Sequence, residues 1–406
     1  KQNTGVRTLT GTQTFSLGTN VTAGTLDVDG TLNTGAITLF DNTTLNVDGT
    51  IDASSPLTGS AGTNTVLVSS GATLSTNGGD LGDGNDVITV AGTLDTGAGT
   101  LNLGAGDDTV TLNDGALLSG TGLNAGAGTN DELVLHNASA LTFDGGMTAG
   151  FEQLVKQNTG TATMTGTQTF AATTVQAGAL DIDGTLDTAT VDMADSTTLN
   201  IDGTVQAAGA TQTTITGSAG ANTLLVNSGA TLRATGDLGD GSDIVTLSGA
   251  LNTGAGALSL GAGDDTLTLT DGATIAGTGV DAAAGAIDRL VLNNASALTF
   301  AGNTTTGFEQ LIKQNTGVAT MTGTQTFAGT TISGGTLSLG DGDDSFVVHD
   351  GTTVLGTVDG GAGNDTRVYN INLTASVGAL VGFEGLTKNG TGTLNINGPG
   401  SSALAE

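Results

Sequence analysis

Six turns rich in glycine and aspartate concentrate the chain's candidate chemistry. They read Gly82-Asp83-Gly84-Asn85-Asp86, Gly104-Ala105-Gly106-Asp107-Asp108, Gly239-Asp240-Gly241-Ser242-Asp243, Gly261-Ala262-Gly263-Asp264-Asp265, Gly340-Asp341-Gly342-Asp343-Asp344 and Gly361-Ala362-Gly363-Asn364-Asp365. Glycine lets a backbone turn its carbonyls inward, and aspartate completes an oxygen shell for a hard cation such as calcium. Asp83, Asp86, Asp107, Asp108, Asp240, Asp243, Asp264, Asp265, Asp341, Asp343, Asp344 and Asp365 are therefore candidate calcium ligands. The same residues also suit plain solvated turns, where aspartate tolerates left-handed backbone. Asn64 and Asn222 stand one coil before Asp86 and Asp243 and fit the turn role.

The spacing says what must position these turns. Asp86 and Asp108 are 22 residues apart, as are Asp243 and Asp265, and each turn leads into a short β-rich run. If such aspartates stack one coil apart, at about 5 Å, their repulsion is about 1 kcal/mol in water-like dielectric and about 3 kcal/mol at an effective value near 20. Protonation, splaying into solvent or a shared cation would relieve it. Thr65-Val66-Leu67-Val68, Val87-Ile88-Thr89-Val90, Thr109-Val110-Thr111-Leu112, Thr223-Leu224-Leu225-Val226 and Ile244-Val245-Thr246-Leu247 alternate with period two, the mark of half-buried strands. No stretch has helical periodicity.

A longer beat encloses the short one. KQNTG opens at Lys1, Lys156 and Lys313, 155 and 157 residues apart, and each copy runs on to TGTQTF. Nested periods of this kind predict a solenoid. The fold expected is all-β, a right-handed parallel β-helix of roughly 18 coils, on the order of 85 Å long. Its divisions fall at 1–155, 156–312 and a shortened 313–398, with 399–406 as tail, all in one continuous solenoid.

Composition narrows the function. The chain of 406 residues has 39 acids against 8 bases, a net charge of −31, which argues against nucleic acid and anionic membranes. It has 69 glycines, 2 prolines, no cysteine and no tryptophan, which fits many tight turns around a narrow core of small aliphatic residues. No run of apolar residues is long enough to insert in a membrane. The first residue falls mid-repeat, as in a piece of a longer exported protein.

Two resemblances follow from these residues. The acidic turns look like the hemolysin-type calcium nonapeptide, although only Gly360-Gly361 supplies both leading glycines, and that copy has Arg367 at the apolar position. The copies also come once per coil rather than back to back. At Lys388, Gly390, Gly392, Thr393, Leu394, Ile396 and Gly398 the chain resembles the passenger-associated repeat of bacterial autotransporters. Lys156 and Lys313 open looser copies, with Asn158 in place of a glycine. That resemblance implies an AIDA-like or pertactin-like passenger, a β-helix anchored through a C-terminal barrel outside this sequence. The implied role is adhesion, self-association or biofilm formation at the bacterial surface. Its partner would be a host-surface glycan or protein, or another copy of the chain. The other reading is a calcium-ordered structural surface protein of S-layer or RTX type, exported or secreted.

Catalysis is not expected. The arginines are scattered, His136 and His349 are isolated, and the paired acids recur with the coil, as architecture does and a unique active site does not. Glu152–Lys156, Glu309–Lys313 and Glu384–Lys388 read as junction ion pairs beside Phe151, Phe308 and Phe383, which wedge coil corners.

Overall fold

The computed structural model describes residues 2–323, 327–349, 353–372 and 374–396. Lys1, Thr324–Thr326, Gly398 and the proposed tail lie outside them. The chain is all-β and built of parallel stacked coils, a β-solenoid of about 18 turns. It divides into two units, Lys1–Asp192 with Ala207–Gly209, and Met193–Gln206 with Ala210–Glu406.

In the first unit one sheet gathers Ala23–Val28, Thr44–Val47, Thr65–Val68, Val87–Val90, Thr109–Asn113, Glu132–His136 and Gln153–Gln157. Neighbours run parallel and in register: Leu45 lies beside Val66, Val66 beside Ile88, Ile88 beside Val110 and Val110 beside Leu133. A second sheet runs from Thr12–Phe15 to Leu117–Ser119, and a third from Thr19–Val21 to Thr148–Ala149. Alternation decides which side chains meet. Val66, Val68, Ile88, Val90, Val110 and Leu112 are buried, while Leu67, Thr89 and Thr111 between them are half-exposed. Small aliphatic side chains suffice because each coil covers the next.

The second unit repeats the plan. Thr198–Ile201, Thr223–Val226, Ile244–Leu247, Thr266–Thr270, Arg289–Asn293 and Gln310–Gln314 pair in parallel order. Later, Ser345–His349, Thr366–Asn370 and Gly385–Asn389 form a sheet of three. The predicted strands Thr65–Val68, Val87–Val90, Thr223–Val226 and Ile244–Leu247 are found with those bounds. Among the described residues no helix is long and apolar enough to cross a membrane.

Candidate functional site

Each acidic turn places its last aspartate directly before a strand, so that one carboxyl per coil faces the coil beside it. In the first unit the backbone N–H of Asn64 donates to Asp86 Oδ1 at 2.6 Å, that of Asp86 to Asp108 Oδ1 at 2.7 Å, and that of Asp108 to Asp131 Oδ1 at 2.7 Å. The second unit builds the same ladder from Asn222, Asp243, Asp265 and Asp288, with distances of 2.6, 2.7 and 2.7 Å. A shorter third ladder joins Asp344 N–H to Asp365 Oδ1 at 2.8 Å. Asp86 and Asp108 are thus stacked neighbours, as the 22-residue step requires.

The ladders are buried. Asp86, Asp108, Asp131, Asp265, Asp288 and Asp365 are fully covered, and Asp243 is 1% exposed. One oxygen of each of these seven carboxyls accepts the neighbouring N–H, and the other, Oδ2, is buried without a hydrogen-bond partner, as is Oδ2 of Asp344. Burial outweighs the stabilising N–H and pushes Asp86 and Asp243 up to about 7, and Asp108 and Asp265 to about 6. Asp131, Asp288 and Asp344 are raised for the same first reason.

Asparagine opens the two long ladders because it can satisfy both ends of its side chain. Asn64 Oδ1 accepts from Ser60 N–H at 3.1 Å, while its Nδ2 donates to the Phe40 carbonyl at 2.8 Å. Asn222 does the same with Ser218 at 3.2 Å and Ala194 at 2.7 Å. None of the rung aspartates has left-handed backbone; among non-glycine residues that conformation falls instead on positions such as Asn42, Asn158 and Asn315. The turn reading is corrected accordingly: aspartate stands here to accept a hydrogen bond from the adjacent coil, not to tolerate a positive φ.

The remaining predicted ligands lie outside. Asp107 Oδ1 accepts from Asn130 N–H at 3.1 Å, Asp264 from Ile287 N–H at 3.0 Å, and Asp343 from Asn364 N–H at 2.8 Å. Asp83, Asp240 and Asp341 are exposed and form isolated backbone bridges to Ala105, Ala262 and Ala362. The turn glycines are engaged too: the carbonyls of Gly82, Gly239, Gly261 and Gly340 accept from the next coil's Ala105, Ala262, Ala284 and Ala362. Calcium needs six to eight converging oxygens. Here one oxygen of each long-ladder aspartate and the glycine carbonyls already accept backbone N–H groups, and the unpartnered Oδ2 atoms come one per coil without converging, so the turns do not fit that ion. Among the described residues none of the twelve belongs to a group of three acids close enough to share an ion. Asp27, Asp29 and Asp48 do form such a group, with one carboxylate oxygen from each within 4.8 Å of the others.

The junction phrases end the ladders. Glu152 Oε2 accepts from Asp131 N–H at 2.9 Å, Glu309 Oε2 from Asp288 N–H at 2.8 Å, and Glu384 Oε2 from Asp365 N–H at 2.8 Å. The expected ion pairs are therefore corrected, because the lysines turn elsewhere. Lys156 is fully buried, and its Nζ donates to the carbonyls of Gln157 at 2.7 Å, Asn158 at 2.7 Å and Ala177 at 3.2 Å. Lys313 is also buried and bonds Gln314 and Asn315. Lys388 bonds Asn389 and Gly390 from an exposed position. Wrapping carbonyls around the ammonium needs left-handed backbone two residues on. Asn158 has φ 64°, Asn315 63° and Gly390 74°, which explains how asparagine replaces the glycine of the repeat.

Replacing Glu309 with methionine removes the acceptor while keeping the side chain's length. The buried Asp288 N–H is then orphaned, a loss of about 1–3 kcal/mol, whereas Glu309→Gln retains an acceptor oxygen. Guanidinium unfolding should give a lower midpoint for Glu309→Met than for Glu309→Gln; equal midpoints would show the cap to be idle.

Phe151 and Phe308 are buried, as corner wedges should be. Phe383 is only half-buried and carries Arg367 above its ring at 5.8 Å, so the basic residue in the apolar slot is accommodated by cation–π contact. His136 is exposed at the end of its strand. Sequence reasoning missed Asp131 and Asp288, which lie outside the glycine motif. The available signal was position: each directly precedes a strand, one coil beyond Asp108 and Asp265. The lysine burial was legible in parity, since Lys156 falls on the same strand face as buried Leu154.

No family model, curated protein or solved structure matches this chain.

Proposed function

We propose that this chain is the passenger stalk of a bacterial cell-surface adhesin of the autotransporter kind that its repeats resemble. The supporting observation is a set of polar rows on the outward faces, repeated from coil to coil. Asn46 Nδ2 bridges Asp27 and Asp48 at 2.7 Å each, and Asn124 donates to Asn102 at 3.1 Å. Asn227 reaches Asn200 and Asp202 at 2.9 Å each, and Asn389 reaches Asn370 at 2.9 Å. Ordered rows of amides, hydroxyls and carboxylates offer repeated hydrogen bonds to a host glycan, a host protein or a second copy. Contact between copies works against the net charge of −31, so it should strengthen as salt screens the repulsion.

The test coats beads with the purified chain and measures retention on glycan arrays and host-cell layers. Light scattering of the free protein is followed in parallel through a salt series, with calcium and with chelator. Retention on a defined surface, or particle growth with salt, is expected. Beads that wash off every surface, together with a constant particle size, would sink the proposal. A calcium-ordered surface protein is the second reading, favoured by the Asp27, Asp29 and Asp48 group and by a like group of Asp181, Asp183 and Asp202. Superimposable calorimetric traces with calcium and with chelator would dispose of it.

A further inference from the structure

The acidic turns resemble a calcium motif but are built differently, and the difference points to another ligand. Every rung of the two long ladders has one carboxyl oxygen committed to the adjacent coil's N–H and the other enclosed without a donor. We propose that the two long aspartate ladders are proton-binding columns, so that stacking of the coils is coupled to proton uptake and both units are stabilised in mildly acidic surroundings.

The charges around each rung all carry the same sign. Asp86 faces Asp108 and Asp80; Asp108 faces Asp131 and Asp107; Asp131 faces Glu152 and Asp107. In the second unit Asp243 faces Asp265 and Asp237, Asp265 faces Asp288, Asp264 and Asp237, and Asp288 faces Glu309 and Asp264. Asp344 faces Asp365 and Asp343. The side-chain charges acting on Asp86, Asp108, Asp131, Asp243, Asp265 and Asp288 are thus all acidic. A proton is the smallest ligand that removes such charge, and it needs no space between coils that already touch.

The direction with pH follows from linkage. The unfolded chain releases these protons near the ordinary aspartate value of 3.8, while the folded chain holds Asp86 and Asp243 until about 7 and Asp108 and Asp265 until about 6. The stabilisation is complete below the unfolded value and is lost as pH rises through the folded ones. General repulsion among surface acids has the same direction, so the test must separate the two.

The test follows thermal unfolding of the full chain between about pH 5 and about pH 8 for three proteins. They are the parent, the double ladder variant Asp86→Asn/Asp108→Asn, and the double surface variant Asp83→Asn/Asp240→Asn, which removes the same number of carboxyl groups. The parent and the surface variant should each lose roughly 5 °C or more over that range, and the ladder variant should lose clearly less. Infrared spectra of the native parent near pH 6 should contain a protonated-carboxyl band that weakens in the ladder variant. That measurement on the parent stands even where the ladder variant folds poorly. Equal pH slopes for ladder and surface variants, or a native parent near pH 6 without the band, would overturn the proposal. So would calcium raising the melting temperature of the parent but not of the ladder variant.

Discussion

Gly104→Ala should lower the stability of the first unit by roughly 3–5 kcal/mol, among the largest effects of any single methyl group in the chain. Gly104 has φ 122°, and a Cβ built on it falls inside the carbonyl oxygen of Gly82 on the neighbouring coil. That carbonyl cannot give way, because it accepts the Ala105 N–H at 3.0 Å. Gly104 is itself in register with Gly126, so a shift to relieve one contact tightens the next. Gly263 in the second unit is built alike, with φ 151° and its Cβ position against the Gly241 carbonyl. Gly71 is the control. Its φ of 79° is also left-handed, but nothing lies within 4 Å of its Cβ position. Gly71→Ala should therefore carry only the conformational cost, about 1–2 kcal/mol. Thermal unfolding of both variants decides the matter: a Gly104→Ala protein no less stable than Gly71→Ala would mean that the coils can separate freely.

Lys156→Met should be the second large effect, a loss of about 2–4 kcal/mol. Methionine fills nearly the same volume but leaves the Gln157, Asn158 and Ala177 carbonyls without their shared donor. The pH dependence gives a second readout. Burial pulls Lys156 down to about 8 from the ordinary 10.5, with Asp114 opposing. Between those values the unfolded chain holds a proton that the folded chain has released, so stability gains with rising pH across that window. The parent should gain on Lys156→Met between about pH 8 and about pH 10. A constant difference there, in matched urea titrations, would show that Lys156 titrates as an ordinary exposed amine.

These two sites differ in how far the sequence announces them. GxGxD marks the turns plainly, and the 22-residue step places Asp86 over Asp108. What the carboxylates do there was not legible. The motif suits converging oxygens around an ion as well as acceptors for backbone N–H, and the choice depends on which way the Asp86 and Asp108 side chains face. Asp131 and Asp288 escaped because no GxGxD precedes them; only their coil position marks them. Glu152 and Lys156 invited an ion pair because opposite charges four residues apart suggest one. Glu152 stands just before the strand Gln153–Gln157 while Lys156 lies on it, and each meets a different neighbour.

By itself the sequence determined that the chain stacks. Period-two alternation fixes which side chains face inward, and a repeat near 22 residues fixes where the next strand begins, because both are properties of local backbone geometry. Only the tertiary structure decided the partners across coils: the aspartate ladder with its glutamate end, the lysine among carbonyls, and the glycine beneath a carbonyl. The ladder and glycine contacts, and the bond from Lys156 to Ala177, join residues about one coil apart in the chain, and their energies depend on burial, which no single segment carries in its own residues.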